Sequence, residues 1–171
     1  CKVAEACGTE AAIYFASGWA ANYAVGELMS KAFKEVIVDR RIHNSLIHGL
    51  RSGKAIVRKV DLPTLSETAV ERPPLLAPTL EGLSGEWSGP SQEFRSDWIA
   101  DECHSFGAVG SSGLEPWEGT PPVARVVGFS KALGFAGAAV CGSSEFVSLL
   151  SQVASPWMFS TAVPPIHCCV V

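Results

Sequence analysis

Two short stretches carry side chains able to do chemistry together. Trp98-Ile99-Ala100 is a brief apolar run that stops in Asp101-Glu102-Cys103-His104. Val126-Val127-Gly128-Phe129-Ser130 stops in Lys131, thirty residues after Asp101. Apolar runs that end in reactive groups are how buried strands of an α/β sheet deliver side chains to its carboxyl edge. An acid, an imidazole and an amine on two such ends point to one active site.

Three chemistries compete for these residues. An Asp-Glu-x-His box serves ATP-driven helicases, which also need a phosphate loop closing in Gly-Lys-Ser/Thr. The nearest stretch, Gly49-Leu50-Arg51-Ser52-Gly53-Lys54-Ala55, is one residue short, has Ala where a Mg²⁺-binding hydroxyl belongs, and precedes a strand. A metal centre would use Asp101, Glu102 and His104 with His43 or His48. Neighbours on a strand point to opposite faces, so Asp101 and Glu102 do not share an ion, and no metal is expected.

The third chemistry is a Schiff base. A lysine amine in a dry pocket attacks an aldehyde. A pyridine cofactor carrying that aldehyde also needs an acid at its ring nitrogen, a donor at its phenolate oxygen and a cradle for its phosphate. Lys131, Asp101 and His104 supply the first three groups. Ser17-Gly18-Trp19 opens a helix whose free N–H groups favour a phosphate, and His43, at the start of another helix, is placed to lie against the ring. This chemistry uses the most residues.

The elements that must position them follow from pattern. Lys2–Cys7 reads as a last helical turn closed by Gly8. Strands are expected at Ala11–Phe15, Glu35–Asp39, Ala55–Val60, Trp98–Ala100, Ala124–Phe129 and Ala138–Cys141, with another possible at Leu75–Leu80. Helices are expected at Ala20–Phe33 with Ser17 as cap, at Asn44–Arg51, and at Glu145–Ala154. The alternation predicts an α/β domain with a largely parallel sheet flanked by helices. Residues 63–96 break the pattern, with Pro63, Pro73-Pro74, Pro78 and Pro90 and three glycines. They read as an irregular insert or eroded segment.

Composition narrows the function. The 171 residues are 47% hydrophobic with a net charge of −4 and a mean hydropathy of +0.23. The length and apolar content suit one domain with a core. The charge excludes a footprint for nucleic acid or an anionic membrane. No apolar run approaches the ~20 residues of a membrane helix. The six cysteines (1, 7, 103, 141, 168, 169) have no paired C-x-x-C spacing. Reduced thiols in an intracellular, cytoplasmic protein are expected. Both ends fall inside apparent elements, so the chain reads as part of a longer one.

Several blocks in order resemble the α-oxoamine synthase family of pyridoxal-phosphate enzymes. They are Gly8-Thr9-Glu10-Ala11-Ala12, Ser17-Gly18-Trp19-Ala20-Ala21-Asn22 and Asp39-Arg40-Arg41-Ile42-His43-Asn44-Ser45. Asp101 to Gly110, Phe129-Ser130-Lys131-Ala132-Leu133-Gly134 and Phe159 to Pro165 complete the set. The resemblance implies a partial large domain of the aspartate-aminotransferase-like fold (fold type I) over 1–171, without the carboxyl-terminal small domain. It implies pyridoxal 5'-phosphate as cofactor, with Lys131 forming the internal aldimine and moving the α-proton. Asp101 would keep the pyridine nitrogen protonated, His104 would bond the phenolate oxygen, and His43 would stack on the ring. Ser17, Gly18, Trp19 and Ser130 would hold the phosphate, with Ser160 and Thr161 reaching the phosphate of a partner subunit in a homodimer. The implied reaction joins an amino acid to an acyl-CoA, with decarboxylation, to give an aminoketone. Alternatives are a truncated non-catalytic homologue or partner subunit, and an aminotransferase or lyase of the same fold.

Two departures stand out. The family's phosphate-binding Thr is here Gly128. Its Glu-Gly-x-x-Ser-Met-Asp-Gly segment with a following helix is reduced to Glu81-Gly82-Leu83-Ser84. That loss predicts exposed apolar surface on the sheet beside the strand ending at Asp101.

Overall fold

The computed structural model describes residues 2–62, 74–90, 96–110 and 120–164. Pro63, Pro73, Gly113, Pro165 and the cysteines at 1, 168 and 169 lie outside the described residues. In order, the elements are α1 (Lys2–Ala6), β1 (Ala11–Phe15), α2 (Gly18–Ala32), β2 (Glu35–Asp39), α3 (Asn44–Leu50) and β3 (Ile56–Val60). After these come β4 (Leu75–Pro78), β5 (Trp98–Asp101), β6 (Ala124–Gly128), β7 (Ala138–Gly142), α4 (Ser144–Val153) and α5 (Ser155–Met158). Each expected helix and strand is present, with no end moved by more than two residues. Gly8, at φ +64°, stops α1 as expected.

The seven strands form one sheet in the order β1-β7-β6-β5-β4-β2-β3. Neighbouring strands pair in parallel from β6 through β3, and only β7 runs against its neighbours. Every residue of β4, β5, β6 and β7 is buried. That double-sided burial is why these strands read as continuous apolar runs instead of alternating ones. The main core lies between one sheet face and α2, α3 and α4, around Val25, Leu28, Leu46, Leu76, Val126 and Val140. Two smaller clusters cover the other face, one around Phe106 and Phe129 and one around Leu75, Trp98 and Ala100.

This corrects the expectation of exposed apolar surface beside β5: Leu75 and Trp98 are 2% and 1% exposed. Inside the stretch read as irregular, β4 pairs with β2 and β5. The loop after it is held by a Leu80–Trp87 bridge and by Thr79, whose N–H donates to the Asp101 carbonyl at 3.0 Å. The Thr79 hydroxyl also lies 2.5 Å from that of Ser105. These bonds use backbone groups and a threonine, so no hydrophobic periodicity announces them. Among the described residues no helix is long and apolar enough to cross a membrane.

Helices α2 and α3 touch backbone to backbone. A Cβ on Gly26 would lie 2.5 Å from the Leu46 carbonyl oxygen, and one on Gly49 would fall even closer to that of Tyr23. Gly53 packs as tightly on Ser30. Gly49 and Gly53, from the stretch that fell short of a phosphate loop, are therefore packing residues, set against α2 from Tyr23 to Ser30.

Candidate active site

Parallel pairing turns sequence distance into proximity. Asp101 is in register with Val126 on the adjacent strand and with Pro78 on the other side. Strand β6 continues through Phe129 and Ser130 to Lys131, so Asp101 and Lys131 meet at one sheet edge. Strand β2 ends at that edge in Asp39, and the chain turns into α3 through Arg41 and His43. Strand β1 runs the same way as β6 and feeds the start of α2.

One cavity of about 210 Å³ collects these ends. It is lined by Ser17, Gly18, Trp19, Asn22, His43, Asp101, Cys103, His104, Gly128, Ser130 and Lys131. An adjoining cavity of about 410 Å³ shares His43, Asp101 and His104 and adds Arg41, Glu81 and Gly82. The shortened Glu81-Gly82 segment thus lies beside the imidazole: a Cβ on Gly82 would lie 2.9 Å from His104 Cε1 and Nε2.

Each group is held by a specific local device. The Ser17 side chain accepts from the Ala20 N–H at 3.2 Å and caps α2. Ser17, Gly18 and Trp19, at the start of this helix, line the cavity. His43 caps α3, its Nδ1 accepting from the Ser45 N–H at 3.3 Å and lying 2.6 Å from Ser45 Oγ. With Nδ1 accepting, a neutral His43 carries its proton on Nε2. Asp101, 6% exposed, accepts at Oδ1 from the Cys103 N–H at 3.1 Å and at Oδ2 from Asn22 Nδ2 at 2.8 Å. Burial, the charge of Lys131 and the nearby His43 draw His104 below the ordinary imidazole value of 6.5, against a smaller opposing pull from Asp101. This favours the neutral form of His104.

Glu102 points the other way, as strand alternation requires, and pairs with Arg125 beneath the sheet edge. Gly128 stands where its Cβ would press the Cys103 backbone at 3.1 to 3.3 Å.

Eight of the ten expected site residues line the two cavities; Ser160 and Thr161 do not. Both instead border a cavity of about 340 Å³ with Tyr14, Phe15, Trp157 and Met158. The Ser160 hydroxyl donates to the Pro156 carbonyl at 2.6 Å. Sequence reasoning gave no role to Asn22. The signal was present: Asn22 follows Gly18 by four residues, so both fall on one helix face.

Comparison with known proteins agrees with this architecture. Residues 95–168 match the family described as aminotransferase class I and II. The chain is 31% identical over 185 residues to 8-amino-7-oxononanoate synthase 2 of Bacillus subtilis, covering 98% of this chain and 47% of that protein. It spans about half the length of the curated relatives it matches. The solved 8-amino-7-oxononanoate synthase of Francisella tularensis superposes with a TM-score of 0.81 at 24% identity, covering 99% of this chain and 55% of that one. A serine palmitoyltransferase solved with its PLP internal aldimine gives a TM-score of 0.77 at 23% identity, covering 95% of this chain and 46% of that one. At those identities the likeness shows the fold. Residues 95–168 thus resemble the aminotransferase class I and II family, and nearly the whole chain is similar to about half of an 8-amino-7-oxononanoate synthase.

Proposed function

We propose that this chain holds pyridoxal 5'-phosphate in the cavity around Lys131, as part of an enzyme that condenses an amino acid with an acyl-CoA, with decarboxylation, to give an aminoketone. One observation carries the reading: a single cavity gathers an amine, an acid held by two donors, an imidazole and a helix start. That donor set fits the cofactor group by group. When bound, the cofactor supplies an electron sink for a carbanion beside the substrate nitrogen.

The chain's own groups do the rest. Lys131 Nζ would hold the cofactor through its aldehyde, with release of water, and would be the group that carries the α-proton. Asp101 would hold the ring nitrogen and favour a proton on it by charge. His104 would donate to the phenolate oxygen, and His43 would lie against the ring. The N–H groups of Gly18 and Trp19 hold the phosphate with the hydroxyls of Ser17 and Ser130. Ser160 and Thr161 serve the phosphate of a second copy, which makes the enzyme a homodimer with its site at the subunit interface. Exposed Trp157, Met158 and Phe159, the last 83% accessible, lie beside that segment and support such a contact.

Pyridoxal phosphate added to the purified protein should give a visible band, at roughly 420 nm for a Schiff-base cofactor, that Lys131→Ala abolishes. No band in the unmodified protein would leave the non-catalytic homologue as the better reading. Glycine, alanine and serine tested with short and long acyl-CoA thioesters would identify the substrates. Amino-group transfer to a keto acid without CoA release would favour the aminotransferase.

A further inference from the structure

Asn22 is an anomaly in an apolar setting. It occupies the fifth position of α2, 2% exposed, with buried Ala21, Ala24 and Val25 around it on the helix. Its amide nitrogen donates to Asp101 Oδ2 at 2.8 Å. Its carbonyl oxygen, Oδ1, is buried without a hydrogen-bond partner. A helix interior does not favour asparagine, and a buried orphan carbonyl disfavours the folded state. Such a violation of local rules marks a place where function outranks stability.

The geometry limits what Asn22 can be doing. A side-chain amide that turns its N–H₂ to a carboxylate binds the ionised form, because a protonated acid would offer its own hydrogen to the amide oxygen. The Cys103 backbone N–H does the same at Oδ1 from the other side. Two donors from two different elements thus fix both the charge of the carboxylate and the plane in which it lies. One donor is main chain and cannot be lost by substitution; the other is Asn22 alone.

We propose that Asn22 is the positioning residue for Asp101, holding it ionised and aimed at the cofactor's ring nitrogen, with the unpartnered amide oxygen as the cost of that arrangement. The inference rests on the cofactor reading given above. Asn22 lines the same cavity, and the role assigned to it here is exerted through Asp101.

The test compares Asn22→Leu and Asn22→Ala in the full chain. Asn22→Ala loses the donor without adding bulk or charge and suits a helix, so it stands in should Asn22→Leu fold poorly. Three quantities are measured: thermal midpoint without cofactor, affinity for pyridoxal phosphate from its visible band, and affinity for the analogue whose ring nitrogen is replaced by carbon. Both variants should bind pyridoxal phosphate roughly tenfold more weakly or worse, the size of one hydrogen bond to a charged group. With the carbon analogue, variant and parent should bind alike, because Asp101 then has nothing to face. Asn22→Leu should melt no lower than the parent, since the orphan carbonyl is gone. Equal pyridoxal phosphate affinity in parent and variants overturns the role of Asn22 alone. So does an equal loss with both probes, or a lowered melting point with unchanged affinity. A parent protein with no visible band overturns the cofactor reading and this role with it.

Discussion

Glu102 and Arg125 form a two-pronged ion pair inside the protein. Arg125 Nε lies 2.9 Å from Oε1 and Nη2 lies 2.7 Å from Oε2, with neither side chain more than 2% exposed. Arg125 Nη1 also donates to the Cys7 carbonyl at 2.7 Å. The pair therefore ties the tetrad to β6 and to the end of α1. Removing one partner strands the other charge in a dry interior, so Arg125→Met should lower stability by about 3–5 kcal/mol. Chemical denaturation measures this directly, and a loss below ~1 kcal/mol would show the pair to be dispensable.

The same carboxyl makes stability depend on pH. Burial pushes Glu102 up to about 7, although Arg125 pulls the other way. The folded value exceeds the ordinary 4.5, so the folded protein holds this proton more firmly than the unfolded chain does. The corresponding stability is full below the unfolded value and is lost as pH rises through about 7. Urea midpoints should decline across that window, and Glu102→Gln should flatten the decline. An unchanged profile in Glu102→Gln would assign the decline to other groups.

The crossing of α2 and α3 admits no side chain at Gly49. Its Cβ would collide with the Tyr23 backbone and approach Glu27 N at 2.9 Å. Backbone cannot swing aside as a side chain can, so Gly49→Ala should cost about 2–3 kcal/mol or more. It should also displace His43, which caps the helix carrying Gly49, and weaken cofactor binding. A fully stable Gly49→Ala protein would mean that the helices separate easily.

Glu27 joins α2 to the start of α5. Its carboxylate accepts from Lys31 Nζ at 2.7 Å, from the Ser155 N–H at 2.8 Å and from the Ser155 hydroxyl at 2.7 Å. Burial works against its charge, but these donors outweigh burial and hold it below the ordinary carboxylate value. A lowered folded value contributes stability above the unfolded value, lost as pH falls through the folded one. Glu27→Gln should therefore lose stability at neutral pH and lose part of the acid-side slope. Acid titration followed by circular dichroism would show both, and an acid limb identical to the parent's would argue against the network.

His104 should titrate below 6.5 in the cofactor-free protein. Lys131 is among the causes, so Lys131→Met should raise the midpoint, while Asp101→Asn should lower it further. Imidazole resonances in an NMR titration report each shift. Movement in the opposite sense in either variant would mean that the three groups do not share one electrostatic environment.

Much of this protein was legible from its residues because the reactive groups end apolar runs. A buried parallel strand has no polar face to interrupt it, so Trp98–Ala100 and Ala124–Phe129 announced both the strands and the edge where Asp101, His104 and Lys131 emerge. Capping chemistry marked Ser17, and the order of blocks marked the family. What stayed hidden depends on contacts between distant segments. Asn22 differs from any helical asparagine only because β5 places Asp101 within 2.8 Å of it. Glu102 and Arg125 are ordinary charges until β5 and β6 pair and bury them together. The glycines at 49 and 53 had only been excluded as a phosphate loop, and their packing role showed once α2 lay across them. The sequence by itself determined the elements, the reactive set and the edge that gathers it, since these follow from periodicity and strand ends. The tertiary structure alone decided which buried polar atoms are satisfied and which is left over, because hydrogen-bond partnership depends on positions that only packing brings together.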